Sequence, residues 1–169
     1  MKPGALLLVI GALIAPAQSH SEADVYAVVV RLSFHGFEPP QDKESLNVNS
    51  MSAAMPTIAG TSPQWRAHFD KFPEALRRAA SLPSPTRQKR HNAGSFPSDA
   101  RMVSDDQAKG LVRWLAVSEV LFTKDGLDAL VWVEANCNGA CGEYSYIWLH
   151  RQSQKDPWSE AGRVQRVVG

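Results

Sequence analysis

Apolar residues recur at two periods along this chain, and the change of period divides it. Over residues 22–32, Val25, Val28, Val29 and Leu32 follow the i, i+3, i+4, i+7 spacing of one helix face. The β-branched content of that run keeps a strand as the alternative reading, and Ser21 or Asp24 is placed to cap a helix. Pro39-Pro40 stops whatever precedes it. Residues 41–60 are polar and small, read as extended or loop with a short strand near 46–48.

Thr61-Ser62-Pro63 is a helix start, Ser62 as the cap and Pro63 in the first turn, where a missing N–H costs nothing. That helix carries Trp65, Phe69 and Phe72, and Pro73 kinks it or restarts a second one through Ala80. Residues 82–99 are proline-rich and read as a long irregular connection. Ser104 and Gln107 have the spacing of a capping box, so a short helix follows with Asp105 and Asp106 at its positive end.

From Val117 onward the period is two. A β-rich run at 117–122 closes at the turn Lys124-Asp125-Gly126, and a second run occupies 128–134. A third, 143–149, leaves the loop Cys137-Asn138-Gly139-Ala140-Cys141; a last strand covers 163–168, after the Asp156-Pro157 turn. Asp-Gly and Asn-Gly accept positive φ cheaply, which makes them strong hairpin signals. Ala129, Val131, Val133 and Ala135 share one face of the second strand; Leu130, Trp132 and Glu134 share the other. In the third, Tyr144, Tyr146 and Trp148 oppose Ile147 and Leu149. The pattern predicts an α+β fold, N-terminal helices packed on a C-terminal antiparallel β-meander of about four strands. Helices would cover one side of that sheet, with the other partly covered or curled.

The start of the chain changes where this domain begins. Lys2, an apolar run over 5–14 and Ala15-Pro16-Ala17 have the form of a signal peptide with its cleavage site. The run is shorter than the roughly 20 residues a membrane-spanning helix needs. Residues 1–17 are therefore expected to be removed, leaving one domain over 18–169 in a periplasmic or secreted location, with no membrane span after cleavage. The leader takes one lysine with it, so 17 basic residues balance 17 acidic ones. That balance argues against nucleic-acid binding, which depends on neutralising phosphates. The basic cluster at 87–91 reads as a solvated loop.

Candidate chemistry is sparse. In an oxidising compartment Cys137 and Cys141 are expected to form a disulfide across a three-residue hairpin loop. Thiol–disulfide exchange or metal handling at that pair is the alternative, although a hairpin tip offers no helix N-terminus to lower a thiol pKa. A metal site with His150 as third ligand fails on distance, since nine strand residues span about 30 Å. No metal or cofactor set and no catalytic motif is visible. Glu134 and Glu143 would approach each other if their strands pair in register, as an acid/base pair or as solvated strand ends. Tyr144, Tyr146 and Trp148 form one stripe, either a recognition surface or a covered sheet face.

The run Ser118 to Phe122, the Asp125-Gly126 turn, 129–134, the paired cysteines, the aromatics before Leu149 and Trp158 occur in that order. About a third of the chain thereby resembles an uncharacterised family of exported bacterial proteins with a Cys-Gly-x-x-Cys-Gly hairpin tip. Cys137-Asn138-Gly139-Ala140-Cys141-Gly142 keeps the cysteine spacing and the closing glycine, with asparagine at the first glycine position. The resemblance implies the fold and export, and no activity. The functional expectation is a non-catalytic module that binds a protein or cell-envelope partner.

Overall fold

The computed structural model describes residues 18–35, 46–60, 62–82, 89–137 and 141–168. The leader falls outside them, as do 83–88 in the proline-rich connection and the loop 138–140. In chain order the elements are α1 (Gln18–His35), β1 (Leu46–Asn49), α2 (Pro63–Ala67), α3 (Glu74–Ala80) and β2 (Ala100–Val103). After these come α4 (Asp105–Ala108), β3 (Arg113–Val117), β4 (Leu121–Phe122), β5 (Asp128–Cys137), β6 (Cys141–His150) and β7 (Ser159–Val168). The strands form one seven-stranded sheet in the order β2-β1-β3-β5-β6-β7, with β4 paired to β5.

The α+β class holds, and the finer expectation is corrected in three respects, the first being that the sheet has seven strands among the described residues rather than about four. The sheet is mixed, because β1 pairs in parallel with both β2 and β3 while the remaining pairs are antiparallel. Helices also lie on both of its faces. α1 buries Val25, Tyr26, Val29 and Val30 in a core with Val131, Val133, Ile147 and Leu149. Phe69 and Phe72, from the turn after α2, and Leu76 of α3 form a second core with Leu130, Trp132, Tyr146 and Val164. Both faces of β5 are apolar for this reason; each buried large side chain contributes about 1.5–3 kcal/mol.

Local signals account for the element boundaries. The Ser62 hydroxyl accepts from the Trp65 amide with Pro63 directly after it, and Pro73 separates α2 from α3. Ser104 and Gln107 form a reciprocal capping box at α4. Gly126 takes φ 69° in the turn before β5. Neither Ser21 nor Asp24 caps α1, which already begins at Gln18.

The run 117–122 is not one strand. Ser118 bonds Trp132 through both its groups: its N–H donates to the Trp132 carbonyl (2.9 Å) and its hydroxyl accepts from the Trp132 N–H (2.9 Å). The side chain thus stands in for a ladder group; β3 ends at Val117, and β4 re-engages β5 at Leu130 and Ala129. The basic cluster is only partly a solvated loop. Lys89 pairs with Glu119 at the surface, and Arg90 bridges Met51. His91 instead turns inward, donating from Nε2 to the Val117 carbonyl (3.0 Å) and meeting the stacked rings of Tyr26 and Phe96 edge to face.

Candidate functional site

Cys137 and Cys141 face each other in register at the closed end of the β5–β6 hairpin. His150 ends β6 at its far end, opposite Asp128. The hairpin thus separates His150 from the cysteines by the length of a strand. Among the described residues, no group of three or more His, Cys, Asp or Glu is placed to hold a metal ion. No described helix is long and apolar enough to cross a membrane.

Glu134 and Glu143 do not form a pair. Glu134 faces Tyr144 and Glu143 faces Ala135, an offset of one residue that puts the two carboxylates on opposite faces. Glu134 accepts from the Trp132 indole N–H (2.9 Å). Glu143 accepts from Ser145 (2.6 Å) and Arg163 (3.0 Å), and Arg163 also forms a two-pronged pair with Glu160. Burial by itself would lower the Arg163 pKa, but the two carboxylates outweigh it and hold the guanidinium above its ordinary value.

The aromatic stripe belongs largely to the α2–α3 face of the sheet. Tyr146 is 2% exposed and meets Phe69 edge to face, its hydroxyl donating to the Pro56 carbonyl. Burial raises its pKa well above that of a free phenol. Tyr146 therefore cannot touch a partner. Tyr144 stacks on Trp132 and Trp148 packs on Phe72; both remain half-buried.

An open-sided groove of about 680 Å³ runs beside this face, between α2 and β7. One wall is Ser62, Gln64, Trp65, Ala67, His68, Lys71 and Phe72, held by the capped start of α2 and the turn that follows it. The other wall is residues 161–165 of β7. Residues 162–165 alternate faces, so all four line one cavity along the backbone edge, and the bulged Ala161 extends that line. Among the described residues that edge is open: β7 ends the strand order, and Ala161 and Gln165 are exposed. Trp148 and Phe72 close over Gly162 and leave no room there for a side chain.

A second arrangement was legible in principle. Asp128 and His150 lie equally far from Gly139 in the sequence, so a symmetric hairpin must oppose them. Asp128 Oδ1 accepts from Trp148 Nε1 (2.8 Å) and from His150 Nδ1 (2.9 Å). The carboxylate fixes both rings at the open end of the hairpin. The groove itself had no such signal, because it depends on where α2 sits over the sheet.

No protein-family model, no curated protein and no solved structure matches this chain.

Proposed function

We propose that this chain is an exported, non-catalytic binding module for a protein or cell-envelope component, and that it takes its partner in the groove between α2 and β7. The observation that carries this reading is the open backbone edge of β7 lying along that groove. The leader and the resemblance to exported proteins support the location. Cys137 and Cys141, opposed in register, support a disulfide that closes the hairpin. The Tyr144–Trp148 stripe serves from below: Trp148 and Tyr146 carry Phe72 and Trp65, which line the groove.

Thiol–disulfide exchange at Cys137 and Cys141 is the rival reading, and their facing positions are compatible with it. It requires a pair reduced well above about −300 mV, whereas a structural bridge lies below that value.

A photocrosslinking side chain at Gln165, compared with one at Arg101 on the opposite sheet edge, tests the binding reading in the native envelope. Discrete adducts from position 165 and none from 101 are expected. Equal or absent labelling at both positions contradicts it.

A further inference from the structure

We propose that the groove takes an extended acidic peptide segment, which adds to the sheet as an eighth strand along β7. This rests on the binding-module reading above and specifies its ligand. Three observations carry it.

First, the open edge is long and regular. Seven residues of β7, 162–168, pair without interruption to β6, and the register shift between Trp148 and Leu149 lies before them. Alternate N–H and C=O groups of such an edge point away from its partner strand, and no described strand pairs with them. The opposite edge, β2, has four residues and runs directly into α4. β7 is therefore the edge with room for an added strand.

Second, the groove touches that edge rather than a side-chain face. Residues 161–165 line it consecutively, with α2 standing opposite as a wall. A ligand in this space lies between helix and strand edge, the geometry in which main-chain hydrogen bonds supply affinity and alternate side chains supply specificity. The groove runs past Gly162, which Trp148 and Phe72 close over, so a ligand strand would meet β7 there through its backbone edge.

Third, the lining has a charge sign. Lys71 and His68 stand on the turn that follows α2, and no carboxylate lines the groove. Lys71 is exposed and makes no ion pair among the described residues. Arg163 lines the groove too, but its charge is matched by Glu143 and Glu160. An acidic side chain on the ligand would neutralise Lys71, and a basic ligand would meet it unscreened.

Fluorescence anisotropy of the full-length chain with labelled seven-residue peptides tests this. The probes are a peptide alternating valine and glutamate, the same peptide with lysine for glutamate, and the glutamate peptide N-methylated at alternate residues. The glutamate peptide is expected to bind, the lysine peptide at least tenfold more weakly, and one of the two methylation registers not at all. Lys71→Glu, a surface change outside every strand, should weaken the glutamate peptide at least tenfold and improve the lysine one. Equal affinity for the two charge types, indifference to methylation, or no binding of the glutamate peptide overturns the proposal. So does a dimer of the chain that the glutamate peptide fails to dissociate. If the peptide fails while position 165 still crosslinks in the envelope, the ligand class is wrong and the binding module stands; if both fail, both fall.

Discussion

A Cβ atom on Gly162 would lie 3.0 Å from Cε3 of Trp148, on the strand pair that floors the groove. Phe72 Cε1 would be 3.4 Å away on the same side. Trp148 has little freedom to retreat, since its indole N–H is held by Asp128 at 2.8 Å.

Gly162→Ala is therefore expected to destabilise the domain by about 1 kcal/mol. Overpacking costs roughly 1–3 kcal/mol, and the smaller entropy of the unfolded alanine chain offsets about 0.4–1 kcal/mol of that. Urea denaturation monitored by tryptophan fluorescence measures the difference. A variant as stable as the parent would show that the Trp148 ring is free to shift.

Asp128 joins two strands of the hairpin through the Trp148 and His150 side chains. Asp128→Ala leaves the half-buried indole N–H without its acceptor, and the expected loss is about 2 kcal/mol. His150→Ala, which removes a ring that is 42% exposed, should cost well under half as much. Comparing the two urea midpoints at pH 7 separates the structural bond to Trp148 from the surface bond to His150.

His91 sets an acid limit on stability. Burial lowers its pKa from the ordinary 6.5, although the Val117 carbonyl and Glu119 act in the opposite direction. Its folded form is neutral while the unfolded chain still takes up a proton, so stability rises with pH through this window. The full contribution is present above about pH 6.5 and is lost as the pH falls below it. Tyr26 and Phe96 pack against the ring, Lys89 is two residues away, and Glu22 and Glu119 supply the nearby negative charge. His91→Gln keeps a donor for Val117 and cannot titrate. Its melting temperature should change less between pH 7.5 and 5 than the parent's; parallel curves would remove His91 as the cause.

For the cysteines, a bridge across three intervening residues closes a very short loop, worth about 2 kcal/mol in the chain-entropy model before any strain. Replacing both with serine should cost no more than that. Unreduced, denatured protein purified from the exported fraction should show no free thiol toward a thiol-reactive chromophore. Two free thiols per chain would contradict the proposed bridge.

The parts of this fold set by neighbours in sequence were legible there. Ser62, Pro63, Pro73, Ser104 and Gly126 act on backbone groups within four residues, and each marks the boundary its chemistry implies. The two faces of β5 and β6 follow from alternation alone. Long-range pairings were not legible. Nothing local shows that 46–49 lies parallel to both β2 and β3, so the mixed sheet was missed. Nor does Ser118 reveal that it will bond Trp132, 14 residues away, and split a β-rich run. The aromatic stripe was visible as a stripe, but its cover depends on Phe69 and Phe72 crossing over it. The groove is a product of the same crossing.

Residue-resolved amide hydrogen exchange, with and without the alternating valine–glutamate peptide, tests the strand-edge claim most directly. Binding along β7 predicts slower exchange at alternate amides of 162–168, those pointing away from β6, with β2 unchanged. Slowing confined to the hairpin around Cys137 and Cys141, or to Ala100–Val103 of β2, with β7 unaffected, would contradict it.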